Sequence, residues 1–160
     1  MVTENVRLED VTIGRGTYRN FSGIKDRFNA TGAKKFTVFL PEAAAQELED
    51  LGWYVRRKPP YREGEPPQNL LDVAVAFEPY PPTVILESFD GTRTYLNDET
   101  VGLLDNTDIA RADMEIRPYN WEVNGKSGCK AYLKELVVTA RAPRRALNAS
   151  MGGRYDEEDY

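Results

Sequence analysis

Histidine is absent from the 160-residue chain, and cysteine occurs once, at Cys129. The first absence removes the usual zinc, haem and Cys/His catalytic arrangements, and the second excludes an intramolecular disulfide. No run approaches the roughly 18 uninterrupted apolar residues that a membrane-spanning helix needs. Residues 1–10 carry charge where a signal peptide is apolar, so the expectation is a cytoplasmic protein with no membrane partner, no metal and no cofactor. Positive charge is also in deficit, with 21 Lys and Arg against 26 Asp and Glu, a formal net charge of −5. That total opposes a nucleic-acid partner, because phosphate binding needs cations to displace condensed counterions.

The deficit is uneven along the chain. Residues 1–62 hold 11 Lys and Arg against 8 acids, residues 63–115 hold 2 against 12, residues 116–150 hold 7 against 2, and residues 151–160 hold 1 against 4. The basic segments are also those in which aromatic residues lie near the charges, so the partner has to be sought region by region.

With 41% apolar and 29% charged residues, the length suits one globular domain. Alternation over residues 6–18 changes phase after Glu9 and predicts a bulged strand. A loop over 19–34 leads to a strand over 35–40. A helix begins at Pro41 and stops at Gly52, with Ala44, Leu48 and Leu51 on one face. Strands are expected over 53–58 and 70–77, then a hairpin of 84–88 with 92–96, then a short helix within 98–108 capped by Asn97 or Asp98. Residues 113–123 and 129–140 read as a long hairpin around Asn124-Gly125-Lys126-Ser127-Gly128. The pattern is mainly β and is consistent with an OB-fold-like small barrel with a helix inserted between strands, a long C-terminal β-hairpin and a flexible acidic tail. The division expected is a domain over 1–142 followed by a linker and tail over 143–160.

Strand alternation puts Lys130, Tyr132 and Lys134 on one face of the last strand, and Tyr119 and Trp121 on one face of its partner, with Lys126 at the tip. Rings that stack on exposed bases, interleaved with cations that track phosphates, suit single-stranded DNA without sequence preference. The plainer reading makes Tyr119, Trp121 and Tyr132 barrel-core or rim residues, and Pro118 interrupts the alternation beside them. A second basic-aromatic cluster supplies Tyr54, Arg56 and Lys58, and the first loop supplies Arg19, Phe21, Arg27, Lys34 and Lys35. Phe36, Phe39 and Trp53 are expected in the core. The acidic end, Asp156, Glu157, Glu158, Asp159 and Tyr160, serves either as a solubilising end or as a mimic of DNA that occupies the protein's own groove and docks on basic partners.

The stretches RNFSG (19–23), FTVFL (36–40), GWYV (52–55), TVGLLD (100–105) and RPYNWEVNGKSGCKAYLKELVVT (117–139) together resemble the single-stranded DNA-binding proteins of tailed phages. The resemblance covers most of residues 5–140, and WEVNGK and KAYLK are its more specific pieces. It implies an OB-fold, sequence-tolerant binding of single strands, and roles in phage DNA replication, recombination and repair in the host cytoplasm. It also implies an acidic tail that contacts replication proteins such as a polymerase, helicase or primase. Cys129 stands where the family carries an aliphatic residue. Two other functions compete: a metal-dependent nuclease using Asp98, Glu99, Asp105, Asp108, Asp113 and Glu115, and an OB-type protein-interaction module that never touches DNA.

Overall fold

The computed structural model describes residues 1–13, 18–27, 29–60 and 62–143. In chain order the elements are β1 (Val6–Val11), β2 (Arg19–Asn20), β3 (Lys34–Leu40), α1 (Glu42–Leu51), β4 (Arg56–Lys58), β5 (Gln68–Val75), β6 (Thr83–Glu87), β7 (Arg93–Leu96), a 3₁₀ helix (Val101–Asn106), β8 (Ile109–Val123) and β9 (Lys126–Ala140). Among the described residues no helix is long and apolar enough to cross a membrane.

The strands join in one mixed sheet of order β1-β8-β9-β5-β3-β2, with β4 beside β5 and the β6–β7 hairpin beside β9. The pairs β5–β9 and β6–β9 are parallel, and the other ladders are antiparallel. The sheet is open in its ladder order, and one isolated bridge, in which the Phe39 N–H donates to the Thr12 carbonyl at 3.1 Å, brings β3 against the residue after β1. The result is the mainly β architecture expected of the sequence pattern, a single open mixed sheet with one α-helix between strands. Its interior is filled by alternate residues of each strand, among them Phe36, Val38, Leu71, Val73, Met114, Ile116, Leu133 and Leu136, all with almost no exposed surface.

Local sequence explains most of the boundaries. β1 carries the expected irregularity, with Asp10 at φ 53 and a register shift between Leu8 and Val11. Gly52 ends α1 at φ 105, where its N–H donates to Glu49 and that of Trp53 donates to Leu48, the paired bonds of a Schellman stop. Pro41 precedes the first turn rather than opening it, and the buried face of α1 is Ala45 and Leu48, while Leu51 is exposed. Arg57 fastens the helix to the sheet through Glu42 (2.8 Å), Glu49 (2.6 Å) and Asn69 (2.7 Å). In the acidic stretch the Asn97 side chain accepts the N–H groups of Glu99 and Thr100 ahead of the 3₁₀ helix.

The final hairpin differs from its sequence reading at the start of β8, which begins at Ile109 rather than at 113, and at the turn. Its turn is two residues, Asn124 and Gly125, both with positive φ (50 and 78), as a type I′ turn requires. Lys126, Ser127 and Gly128 therefore belong to β9, paired with Val123, Glu122 and Trp121.

Candidate nucleic-acid interface

The β8–β9 hairpin has a core face and an outer face. Ile116, Cys129, Ala131 and Leu133 are buried, and burial pushes the Cys129 thiol pKa up. The residues between them point outward and meet across the ladder as Arg117 opposite Tyr132, Tyr119 opposite Lys130 and Trp121 opposite Gly128. Tyr119 and Tyr132 contact edge to face at 5.7 Å between centroids. The Tyr132 ring is flanked by two cations, the Arg117 guanidinium at 5.1 Å and the Lys130 ammonium at 5.3 Å. Tyr119 and Trp121 remain 52% and 40% exposed, too open for core packing and available to a flat ligand.

The same outer face continues across the sheet. Val73 pairs with Ala131 and Ala74 with Tyr132, and on the other side of β5 Lys35 lies opposite Ala74 and Thr37 opposite Asp72. A cleft of about 640 Å³ runs between the hairpin and this surface, with Tyr54 and Trp121 among its walls, Val73, Ala74 and Ala131 along it, and Lys34, Lys35 and Lys130 contributing cationic side chains. A second cleft of about 510 Å³ shares Lys35, Asp72 and Lys130 with the first and extends to Tyr18 and Arg56. Lys35 lies 5.6 Å from the centre of the Tyr18 ring, and each cleft is lined by both cations and rings.

Not every cation on this surface is available. Arg56 is bound by both carboxylate oxygens of Asp72, Nε to Oδ2 at 3.0 Å and Nη2 to Oδ1 at 2.8 Å. Partial burial raises the Asp72 carboxyl pKa, but hydrogen bonds from Arg56 and Thr37 outweigh it and hold the group below its usual range. Lys34 borders the cleft, yet its ammonium is held by the Asp98 side chain and carbonyl and lies 5.4 Å from the Phe77 ring centre. In contrast, Lys35, Lys58, Arg117, Lys126, Lys130 and Lys134 form no salt bridge among the described residues.

Residues 1–146 match the model of a protein family described as "Putative phage ssDNA-binding domain". The chain belongs to this phage single-stranded DNA-binding family. Among solved structures, the C-terminally truncated single-stranded DNA-binding protein from bacteriophage Enc34 is similar at a TM-score of 0.55 and 10% identity, over 87% of each chain. The untruncated Enc34 protein gives 0.54 at 10% identity over 97% of this chain and 88% of that one. The Enc34 protein in complex with ssDNA gives 0.51 at 10% identity over 87% and 88%. At this identity the likeness is one of fold. No curated protein matches the chain by sequence.

Within this family member, two residues picked from the first loop are structural. Phe21 is wholly buried and stacks on Phe36 at 4.8 Å, following directly on β2, whose Arg19 pairs with Phe36. Arg19 donates to the carbonyls of Ile13, Leu104 and Thr107 at 2.8–3.1 Å, which ties the start of the loop to the 3₁₀ helix. Arg27 is exposed on the loop, and Lys58 is exposed on β4 next to Arg56. Lys134 is exposed and still in phase with Lys130 and Tyr132, and it is the unpaired residue at the register shift between Glu115 and Ile116, after which the alternation changes phase. Trp53 and Phe36 are core residues, whereas Phe39 is half-buried between β1 and α1. Arg117 and Gly128 were missed by sequence reasoning. Arg117 was legible two residues before Tyr119 on the same face, but Pro118 obscured the alternation.

The acidic stretch is used internally. Asp105 accepts the N–H groups of Phe21 (2.6 Å) and Ser22 (3.1 Å), Asp108 pairs with Arg141, and Asp113 accepts the Asp10 N–H and pairs with Arg111. Among the described residues no three acidic or cysteine side chains converge as a metal site does. The proposed tail residues, 156–160, lie outside the described residues.

Proposed function

We propose that the chain binds single-stranded DNA, without sequence preference, along the outer face of β3, β5, β9 and β8. The observation that carries this reading is the continuous face on which Tyr54, Tyr119, Trp121 and Tyr132 interleave with Lys35, Lys126, Lys130 and Arg117, cations without carboxylate partners among the described residues. Bases stack on the rings, which accept any base because every base has a π-face, and the cations neutralise the phosphates alongside. A duplex presents stacked, paired bases whose faces are not accessible to these rings, so the surface favours single strands. Membership of the phage family supports the reading, as does the Enc34 protein of the same fold, whose structure includes ssDNA.

In this reading the protein is not an enzyme. It covers and organises single strands during phage DNA replication, recombination and repair, with the acidic end competing for the cationic face and recruiting replication proteins. The four carboxylates against one arginine in residues 151–160 supply the charge for that competition.

Tryptophan fluorescence tests the binding directly, because Trp53 is buried and Trp121 borders the cleft. Titration with a dT homopolymer at low salt should quench or shift the emission, and Trp121→Ala should weaken binding by about 1–3 kcal/mol. Absence of any fluorescence change and of any salt-sensitive binding would overturn the reading in favour of a module that contacts only proteins.

A further inference from the structure

Gly128 has no backbone reason to be glycine. Its φ lies outside the left-handed region, unlike that of Gly125 in the turn, and it sits in a regular stretch of the β8–β9 ladder opposite Trp121. The space that a side chain would fill is taken by the indole. A Cβ at position 128 would lie 2.7 Å from Cζ2, 2.9 Å from Cε2 and 3.1 Å from Nε1 of Trp121, well inside the ordinary carbon contact distance of about 3.5–4.0 Å. The indole therefore lies across the hairpin on a strip of bare backbone. There it borders the cleft it shares with Tyr54 and also a third cleft, which reaches Met1 and Gly52.

Resting on the reading that Trp121 stacks on bases, we propose that Gly128 is a positioning residue: its missing side chain holds the indole in one orientation before DNA arrives. A ring already held in its binding orientation loses less rotamer freedom on stacking, and that saving appears as affinity. A methyl group at 128 cannot share the space, and the flanking ladder pairs with β8, Ser127 with Glu122 and Cys129 with Asn120, keep the backbone from retreating. The indole is then displaced from the cleft wall, although no atom that touches DNA has been removed.

The test compares Gly128→Ala, Trp121→Ala and the double variant in the full chain, by titration with a labelled dT oligonucleotide, Trp121 emission and thermal unfolding. Trp121→Ala should bind about 5- to 150-fold more weakly. Gly128→Ala should reproduce most of that loss and show altered tryptophan emission and reduced quenching by the oligonucleotide. The double variant should bind no more weakly than Trp121→Ala and melt no lower than Gly128→Ala, since the clash disappears with the ring. If Gly128→Ala does not fold, the double variant must fold; failure of both overturns the proposal. Wild-type affinity and emission in Gly128→Ala, or a loss that adds in full to that of Trp121→Ala, overturns the positioning role while leaving the stacking reading intact. Wild-type affinity in Trp121→Ala overturns the stacking reading and this inference with it.

Discussion

Replacing Lys130 by alanine removes a cation from the centre of the proposed path. Its side chain borders both clefts, lies opposite Tyr119 in the ladder, and places its ammonium 5.3 Å from the Tyr132 ring centre without a carboxylate partner among the described residues. On a single strand each neutralised phosphate contributes about −0.7 to the slope of log affinity against log salt. If Lys35, Lys58, Arg117, Lys126 and Lys130 each neutralise one, the wild-type slope is about −3.5, and raising salt from about 50 to 200 mM weakens binding about 130-fold. Lys130→Ala leaves a slope of about −2.8 and a loss of about 50-fold over the same range. Arg57→Ala is the control: the guanidinium is already held by Glu42, Glu49 and Asn69, so its removal should lower stability and leave the slope unchanged. Fluorescence titrations with a dT oligonucleotide at four or more salt concentrations measure both. An unchanged slope in Lys130→Ala, or an equal reduction in Arg57→Ala, would refute the division between paired and unpaired cations.

Phe21→Ala should destabilise the fold by about 3–5 kcal/mol, as a buried ring lost from a packed core does, measured by urea unfolding; full stability with impaired binding would restore Phe21 to the interface. Asp72→Asn should tighten binding at low salt and steepen the salt slope by about 0.7, because Arg56 is then free to meet a phosphate. The same substitution bears on acid stability. The Asp72 carboxyl is held below its unfolded value, so its contribution is complete above about pH 4 and is lost as pH falls through the folded value; thermal melts of the variant should lack that component. Deleting residues 151–160 should tighten DNA binding at low salt and weaken retention of replication proteins in pull-down, and weaker DNA binding by the truncated chain would contradict the competition mechanism.

What could be read from the sequence was what depends on near neighbours. Period-two alternation with Asn124-Gly125 between two β-rich runs specifies a tight hairpin, and in such a hairpin the faces of Tyr119, Trp121, Lys130 and Tyr132 follow from the pleat. The stop of α1 at Gly52 is equally local, since only the left-handed conformation closes the last turn there. The concentration of cations and rings in the same segments was also plain from the order of residues. Which of those groups remain free was settled by contacts distant in sequence. Lys34 meets Asp98, Arg19 meets the carbonyls of Leu104 and Thr107, and Phe21 finds Phe36 only when β2 pairs with β3. Alternation cannot report such meetings, because a charge or a ring has the same local pattern whether its partner is solvent, DNA or a residue many positions away. Gly128 shows the same limit: in sequence it belonged with the turn, and only the register of the ladder placed it beneath the Trp121 indole.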